Sequence, residues 1–303
     1  MKNPIFILSL DLELGWGFIL NQRDRILNLL KKDPQKIREK IKNLIKLFEK
    51  YNIPATWGVV GHLFLDPKER DELINETLPQ FQECWLNWEN YCQLTPQTLY
   101  FGRDIIKEIL ASVVKQEIGL QGFFHIPFRS CSQKVAEAEI RLGKEAASKF
   151  GINPKTFIFP KNMVDKIDVL RENGFQIYRG KTSGHLEGNE NFFIQKVNAL
   201  ISRFIILPVS VLNKNGLFEI AGSMEFYDRR IPASLVQRAE FGLNFAIATN
   251  RIFHLWFHPW SFVVCEHLDK YLENFFKFLN QKREKGKIEV KRIIDLTSEK
   301  NNE

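Results

Sequence analysis

Two carboxylates two residues apart, Asp11 and Glu13 in "SLDLELGWG", follow the short apolar run "IFILSL" at residues 5–10. Far downstream, His125 closes the glycine-spaced aromatic stretch "QEIGLQGFFHIPF", with Gln121 four residues before it. Lys161 and Asn162 follow "FIFP", and His258 ends "RIFHLWF" just ahead of Pro259. Alone, each has an ordinary structural reading: Asp11 as a turn cap, Glu13 as a solvated side chain, His258 as a hydrogen-bonded loop histidine. Together, a carboxylate pair at i and i+2, a loop histidine and a second histidine at a strand end can form a metal-hydrolase set. One carboxylate and the loop histidine would hold a divalent ion while the other carboxylate takes a proton from the attacking water. His258 would then protonate the leaving group.

Such residues act together only if the chain brings them to one place. "IFILSL" is an unbroken apolar run, which suits a strand buried on both faces of a parallel sheet, so the carboxylates sit at its C-terminal end. Asp33 can cap a helix with Pro34 at its first position, and Ile37, Ile41, Leu44, Ile45 and Phe48 recur at helical spacing. "IPATWGVVGHLFL" completes a strand, helix, strand unit. Further on, "GRDIIKEILASVVK" reads as a helix, and Ser132 caps another that stops at Gly151. "KTFIFP", "FQIYRG" and "RIFHLWF" read as strands; "DKIDVLRENG", "PASLVQRAEFGLNFAIATN" and "EHLDKYLENFFKFLNQKREKG" read as helices. This alternation predicts a single α/β domain over 1–303, open or closed into a barrel. Lys161, Asn162 and His258 then share with Asp11 the C-terminal strand ends, where such folds build sites. Residues 66–100 break the rhythm and read as an insertion over one end of the domain, with Trp85, Trp88 and Tyr91 as an aromatic cluster.

Composition narrows the class. The chain is 44% hydrophobic and 26% charged over 303 residues, enough apolar surface for a sizeable core. Its net charge of +7 arises largely from "KKDPQKIREKIKNLIKLFEKYN", where interleaved glutamates mark a solvated helix face, and no nucleic-acid motif accompanies it. Cys84, Cys92, Cys131 and Cys265 have no zinc-type spacing and read as free thiols of a reducing compartment. The apolar N-terminal run is too short for a membrane span and meets carboxylates where a signal peptide would need small residues. A cytoplasmic location is expected.

Five segments, in order "SLDLELGWG", "IPATWGVVGHLFL", "EIGLQGFFHIPF", "FIFPKN" with "LRENGFQIYRG", and "FHLWFHPWSF", resemble the motifs of the polysaccharide deacetylase family. These are the NodB-homology or carbohydrate esterase family 4 enzymes, and the closest look is to a cytoplasmic bacterial branch found with surface-glycan biosynthesis. The resemblance runs from about residue 5 to "KIEVKRIIDL". It implies a distorted (β/α) barrel and metal-dependent deacetylation of sugars, with zinc as the usual ion. Asp11 matches the family's base, Glu13 its metal carboxylate, His125 its second metal histidine and His258 its acid. Lys161 stands where the family usually has an arginine that orients the base; with Asn162 and Trp260 it is a candidate for binding the substrate, Trp260 offering a flat wall to a sugar face, although a simply buried tryptophan is at least an equal reading.

One expected metal histidine is replaced by Gln121. A glutamine offers a neutral carbonyl oxygen, which suits Mg²⁺, Ca²⁺ or Mn²⁺ better than Zn²⁺. Phe124 in place of a serine makes the neighbourhood more apolar, and a lysine cannot make the planar two-point contact of an arginine. Two functions stay open: a deacetylase acting on an N-acetylated sugar, or a pseudoenzyme of the same fold that binds a glycan or a partner protein.

Overall fold

The computed structural model describes residues 3–18, 24–67, 69, 97–181, 206–227 and 232–300. The apolar runs form one curled sheet: β1 (Ile5–Leu12), β2 (Thr56–Val59), β3 (Glu117–Leu120), β4 (Thr156–Ile158), β5 (Ile177–Arg179), β6 (Leu212–Lys214), β7 (Leu217–Ile220), β8 (Met224–Glu225), β9 (Ile252–Phe257) and β10 (Glu289–Lys291). Their order is β6–β7–β5–β4–β3–β2–β1–β9–β8, with β10 pairing the first half of β1. Among these pairs only β6–β7 is antiparallel. Helices Pro34–Tyr51, Arg103–Ala111, Gln133–Ser148, Ile167–Glu172, Pro232–Thr249 and Leu268–Glu284 lie between the strands, as the helical spacing predicts. Asp33 accepts from the Lys36 N–H and Ser132 from the Val135 N–H, the two caps expected from sequence.

The curl is measurable. β1 and β5 are four strand spacings apart, about 19 Å in a flat sheet. Yet side chains of Asp11 and Arg179 meet at 2.6 Å. The sheet is therefore rolled into the distorted (β/α) barrel, with one face lining a lumen and the other packed under helices.

Strand alternation sorts residues between those faces. On β1, Phe6, Leu8, Leu10 and Leu12 join the large outer core with Phe253, Leu255 and Phe257 of β9. Ile5 and Ile7 face inward and pack with Ile177, Ile220 and Ile252 at the N-terminal end of the lumen. Above them, at the C-terminal end, the same inward rows become polar: Ser9 and Asp11 on β1, His254 and Trp256 on β9, Arg179 on β5. The register pairs Ile7 with His254 and Ser9 with Trp256.

At the opposite end, buried Glu117 accepts from the Thr56 hydroxyl at 2.6 Å and the Ile294 N–H at 3.1 Å, tying the C-terminal segment under the sheet. Cys131 and Cys265 are free thiols. Among the described residues no helix is long and apolar enough to cross a membrane. Most of the expected insertion at 66–100, including Trp85, Trp88 and Tyr91, lies outside the described residues.

Candidate active site

β1 continues two residues beyond the apolar run that predicts it, because Asp11 faces the lumen and finds its partner there. Arg179, the last residue of β5, donates from Nη1 to Asp11 Oδ1 and from Nη2 to Oδ2, both at 2.6 Å. Their side chains are 1% and 3% exposed. A buried ion pair is sound only when its remaining donors are also used. Here Nη1 reaches Ser9 Oγ at 3.3 Å, Nη2 reaches Asn162 Oδ1 at 3.1 Å, and the guanidinium carbon lies 4.6 Å from the centre of the Trp256 ring.

Behind Ser9 the chain of contacts goes on. His254 Nε2 lies 2.8 Å from Ser9 Oγ and Nδ1 lies 2.9 Å from the Ala221 carbonyl. A carbonyl only accepts, so Nδ1 carries the proton, Nε2 accepts, and the Ser9 hydroxyl donates to it. Burial, helped by the Arg179 charge, pushes the His254 pKa down to about 3, which keeps the ring neutral.

The resemblance places the residue that orients the base at Lys161. That contact is made by Arg179 instead. Lys161 sits in the turn Pro160–Asn162 after β4 with a φ of 56°, and its ammonium donates to the Gly17 carbonyl. Only the planar fork of an arginine can give both oxygens of one carboxylate a donor at once.

Glu13 follows β1 and belongs to the opposite wall. Its Oε1 lies 3.0 Å from His125 Nε2 and accepts from Gln121 Nε2 at 3.0 Å; the two nitrogens are 3.3 Å apart. A Cβ at Gly17 would fall 2.0 Å from Glu13 Oε2, so the second glycine of "LGWG" lets the carboxylate lie against the backbone. Gln121 directly follows β3, and His125 sits on the loop beyond it with a φ of 64°. Gln121 Oε1 and His125 Nδ1 are buried with no hydrogen-bond partner among the described residues.

His258 spans the two walls. Its Nε2 is 3.7 Å from Asp11 Oδ2 and 3.6 Å from Glu13 Oε1, while Nδ1 is 3.6 Å from Glu225 Oε1. Burial alone would lower the imidazole pKa, but Glu13, Glu225 and Asp11 outweigh it and hold it up at about 10. For Glu13, burial opposes ionisation, yet His125 and His258 prevail and keep its carboxyl well below the usual range. Trp260 is 8% exposed; its ring lies 4.9 Å from His258, with Phe18 and Tyr227 edge-on. It packs against the His258 ring and offers little open face.

Leu14, His125, Lys161 and Asn162 all have φ between 49° and 64° on the loops around these walls. Non-glycine residues rarely adopt this region, and their gathering here is the kind of strain found at functional sites. Sequence reading missed Arg179, Ser9, His254, Trp256 and Glu225. Arg179 carried a signal, since it ends the strand-like "FQIYRG" at the same level as Asp11. Ser9 shares Asp11's inward row, as His254 and Trp256 share that of His258.

No family model matches the sequence, and no curated protein matches it. Solved structures do. The "putative polysaccharide deacetylase" of Mycobacterium smegmatis superimposes with a TM-score of 0.60 at 13% identity, covering 99% of this chain and 91% of that one. The "probable polysaccharide deacetylase" of Pseudomonas aeruginosa PAO1 gives 0.58 at 11% identity, covering 97% and 89%. Puue allantoinase gives 0.60 at 10% identity, with 97% and 89% covered. The chain has the polysaccharide deacetylase fold.

Whether this deacetylase fold retains a cation site depends on its donors. One ligand atom each from Asp11, Glu13 and His258 lies within 4.8 Å of the others. Glu13 Oε1 and His125 Nε2, at 3.0 Å, have the separation of neighbouring ligands in a six-coordinate shell of radius about 2.1 Å, which is about 3 Å. The Gln121 amide turns its NH₂ toward them and leaves its carbonyl oxygen without a partner. Rotating the amide by half a turn exchanges the two and presents a neutral oxygen to the same point. One carboxylate, one imidazole and one amide oxygen fit an oxygen-preferring divalent ion.

Proposed function

We propose that the protein is a divalent-metal-dependent deacetylase that removes an acetyl group from an N-acetylated sugar of a glycan or glycan precursor. The observation that carries this reading is the meeting of an arginine-locked Asp11, the Glu13–His125 pair and His258 within one set of contacts. Glu13, His125 and Gln121 would hold the ion, which when bound polarises the acetyl carbonyl and makes water more acidic. Asp11 keeps a free lone pair on each oxygen after its two bonds to Arg179 and takes the proton of the attacking water. His258 lies across from it, 3.7 Å from Asp11 Oδ2, and delivers a proton to the sugar nitrogen as the amide C–N bond breaks. Water oxygen and acetyl carbon join, so the products are acetate and a free amine. A cytoplasmic enzyme of this kind would meet nucleotide-linked or lipid-linked precursors.

A second reading has its own observation. With Gln121 donating to Glu13, the charges of Asp11, Glu13, Arg179 and His258 cancel without any cation. A barrel balanced in this way would bind a glycan or a partner protein and hydrolyse nothing.

Calorimetric titration with Mn²⁺, Mg²⁺ and Zn²⁺, paired with acetate release from N-acetylated sugars, separates the two. The deacetylase reading expects near-stoichiometric binding that Glu13→Ala and His125→Ala both lose, and acetate release that Asp11→Asn lowers by about a hundredfold or more. No binding of any of the three ions would leave the binding-protein reading standing.

A further inference from the structure

Glu139 is the one charged residue on the buried face of the helix Gln133–Ser148 and is 0% exposed. Its carboxylate meets the loop that carries His125. Oε1 accepts from the Phe124 N–H at 2.9 Å; Oε2 accepts from the Phe123 N–H at 2.9 Å and the Ile126 N–H at 3.2 Å. Three backbone donors within four residues converge on one side chain, the arrangement of an anion-binding nest with its anion built in.

Two close approaches deliver it there. A Cβ on Gly143, one turn further along the helix, would fall 2.7 Å from Leu120 Cδ2 of β3, so the helix lies directly on the strand that ends beside Gln121. A Cβ on Gly122 would fall 2.3 Å from Glu139 Oε2, and Gly122 has a φ of +70°. The loop reverses through two left-handed residues, Gly122 and His125, and its freed N–H groups are those that Glu139 collects. A carboxyl in this position is costly: burial pushes its pKa up to about 8 against the pull of the backbone donors. A leucine would fill the space without that cost but would leave three N–H groups unpaired.

We propose that Glu139 is a positioning residue of the candidate cation site, fixing the backbone of residues 122–126 so that the Gln121 amide and the His125 ring face Glu13. This rests on the deacetylase reading for its consequence, though not for its geometry. Glu139 touches neither ion nor substrate. It acts through the loop.

The test uses the full chain with Glu139→Gln, which replaces one acceptor oxygen by an NH₂ at nearly unchanged volume, and Gly122→Ala as a second disturbance of the same contact. Amide hydrogen exchange and Mn²⁺ titration are read on each. The expected result is exchange at least about tenfold faster at Phe123, Phe124 and Ile126, unchanged exchange in β1 and β9, and Mn²⁺ affinity lower by about 10- to 100-fold, the scale of outer-shell partners of metal ligands. Unchanged loop exchange overturns the proposal. So does exchange raised equally throughout the molecule, which would make Glu139 a general stabiliser, or unchanged affinity in a parent that binds Mn²⁺. A parent that binds none of Mn²⁺, Mg²⁺ and Zn²⁺ overturns the deacetylase reading, and the proposed hold on the loop is then decided by the exchange rates alone.

Discussion

The two walls of the site are built on different principles. On one, Asp11, Arg179, Ser9, Asn162 and His254 are joined in one run of hydrogen bonds, and the buried charges of Asp11 and Arg179 are matched. On the other, Glu13, Gln121 and His125 share contacts near 3 Å yet leave Gln121 Oε1 and His125 Nδ1 without partners. The first wall is finished by protein alone. The second leaves two polar atoms unpaired among the described residues, in a place where that is costly. On the proposed deacetylase reading, a base needs such a fixed environment, whereas a wall that is to receive a cation is not closed by its own hydrogen bonds.

The largest expected effect breaks the first wall. Arg179→Met leaves the Asp11 carboxylate buried without its partner and should cost about 3–5 kcal/mol of stability, along with any turnover. Glu13→Gln on the other wall removes a charge whose neighbours are histidines and an amide able to readjust, and should cost about 1 kcal/mol. Denaturant unfolding of both variants checks the contrast, and equal losses would mean that the walls do not differ. Next in size, Gln121→His supplies the second wall with an imidazole. Zn²⁺ affinity should rise by more than about tenfold, since even outer-shell partners act on that scale. An unchanged affinity would show that this wall does not receive a cation.

How much of this was legible in sequence follows from how local each signal is. The strands that lead to Asp11, Asn162 and His258 were readable because parallel strands buried on both faces leave apolar runs, and the site residues mark where those runs end; β3, just before Gln121, is only the four residues "EIGL" and was not read as a strand. The caps at Asp33 and Ser132 were readable for the same local reason. The helix Arg25–Lys32, capped by Asp24, is only eight residues long, so its buried Leu27 and Leu30 make a single helical spacing with no repeat to extend it, and the β6–β7 hairpin is short and exposed on its first strand. Arg179 was missed because its role depends on the curl, which brings a residue four strands away against Asp11. Glu139 was missed because nothing in "AEAEIRLG" distinguishes a carboxylate aimed at a loop from one aimed at water; only the glycines at 122 and 143 record the close fit, and glycines have many uses. Lys161 holds the chain position of the family's base-orienting arginine while Arg179 makes the contact to Asp11, because alignment to a motif fixes a position in the chain, not the direction of its side chain.

The smallest effect is a slope, and it tests whether the first wall is as closed as its hydrogen bonds imply. His254 is held neutral with a pKa of about 3, against an ordinary value of 6.5. Between those values the unfolded chain binds a proton that the folded chain refuses, so this residue's contribution to stability is present above pH 6.5 and is lost as the pH falls toward 3. The loss should be about 1.4 kcal/mol per pH unit. His258 works in the opposite direction, with its contribution present below its ordinary value and lost as the pH rises toward 10, so it is almost constant from pH 6 to pH 5. In His254→Gln the acid slope over that interval should be shallower than in the parent by that one proton, even if the variant is less stable at pH 7. Equal slopes would mean that His254 can take up a proton in the folded state. The Ser9 hydroxyl would then lose its acceptor and Arg179 its fixed rear support, and Asp11 would stand in a wall no more complete than the one opposite.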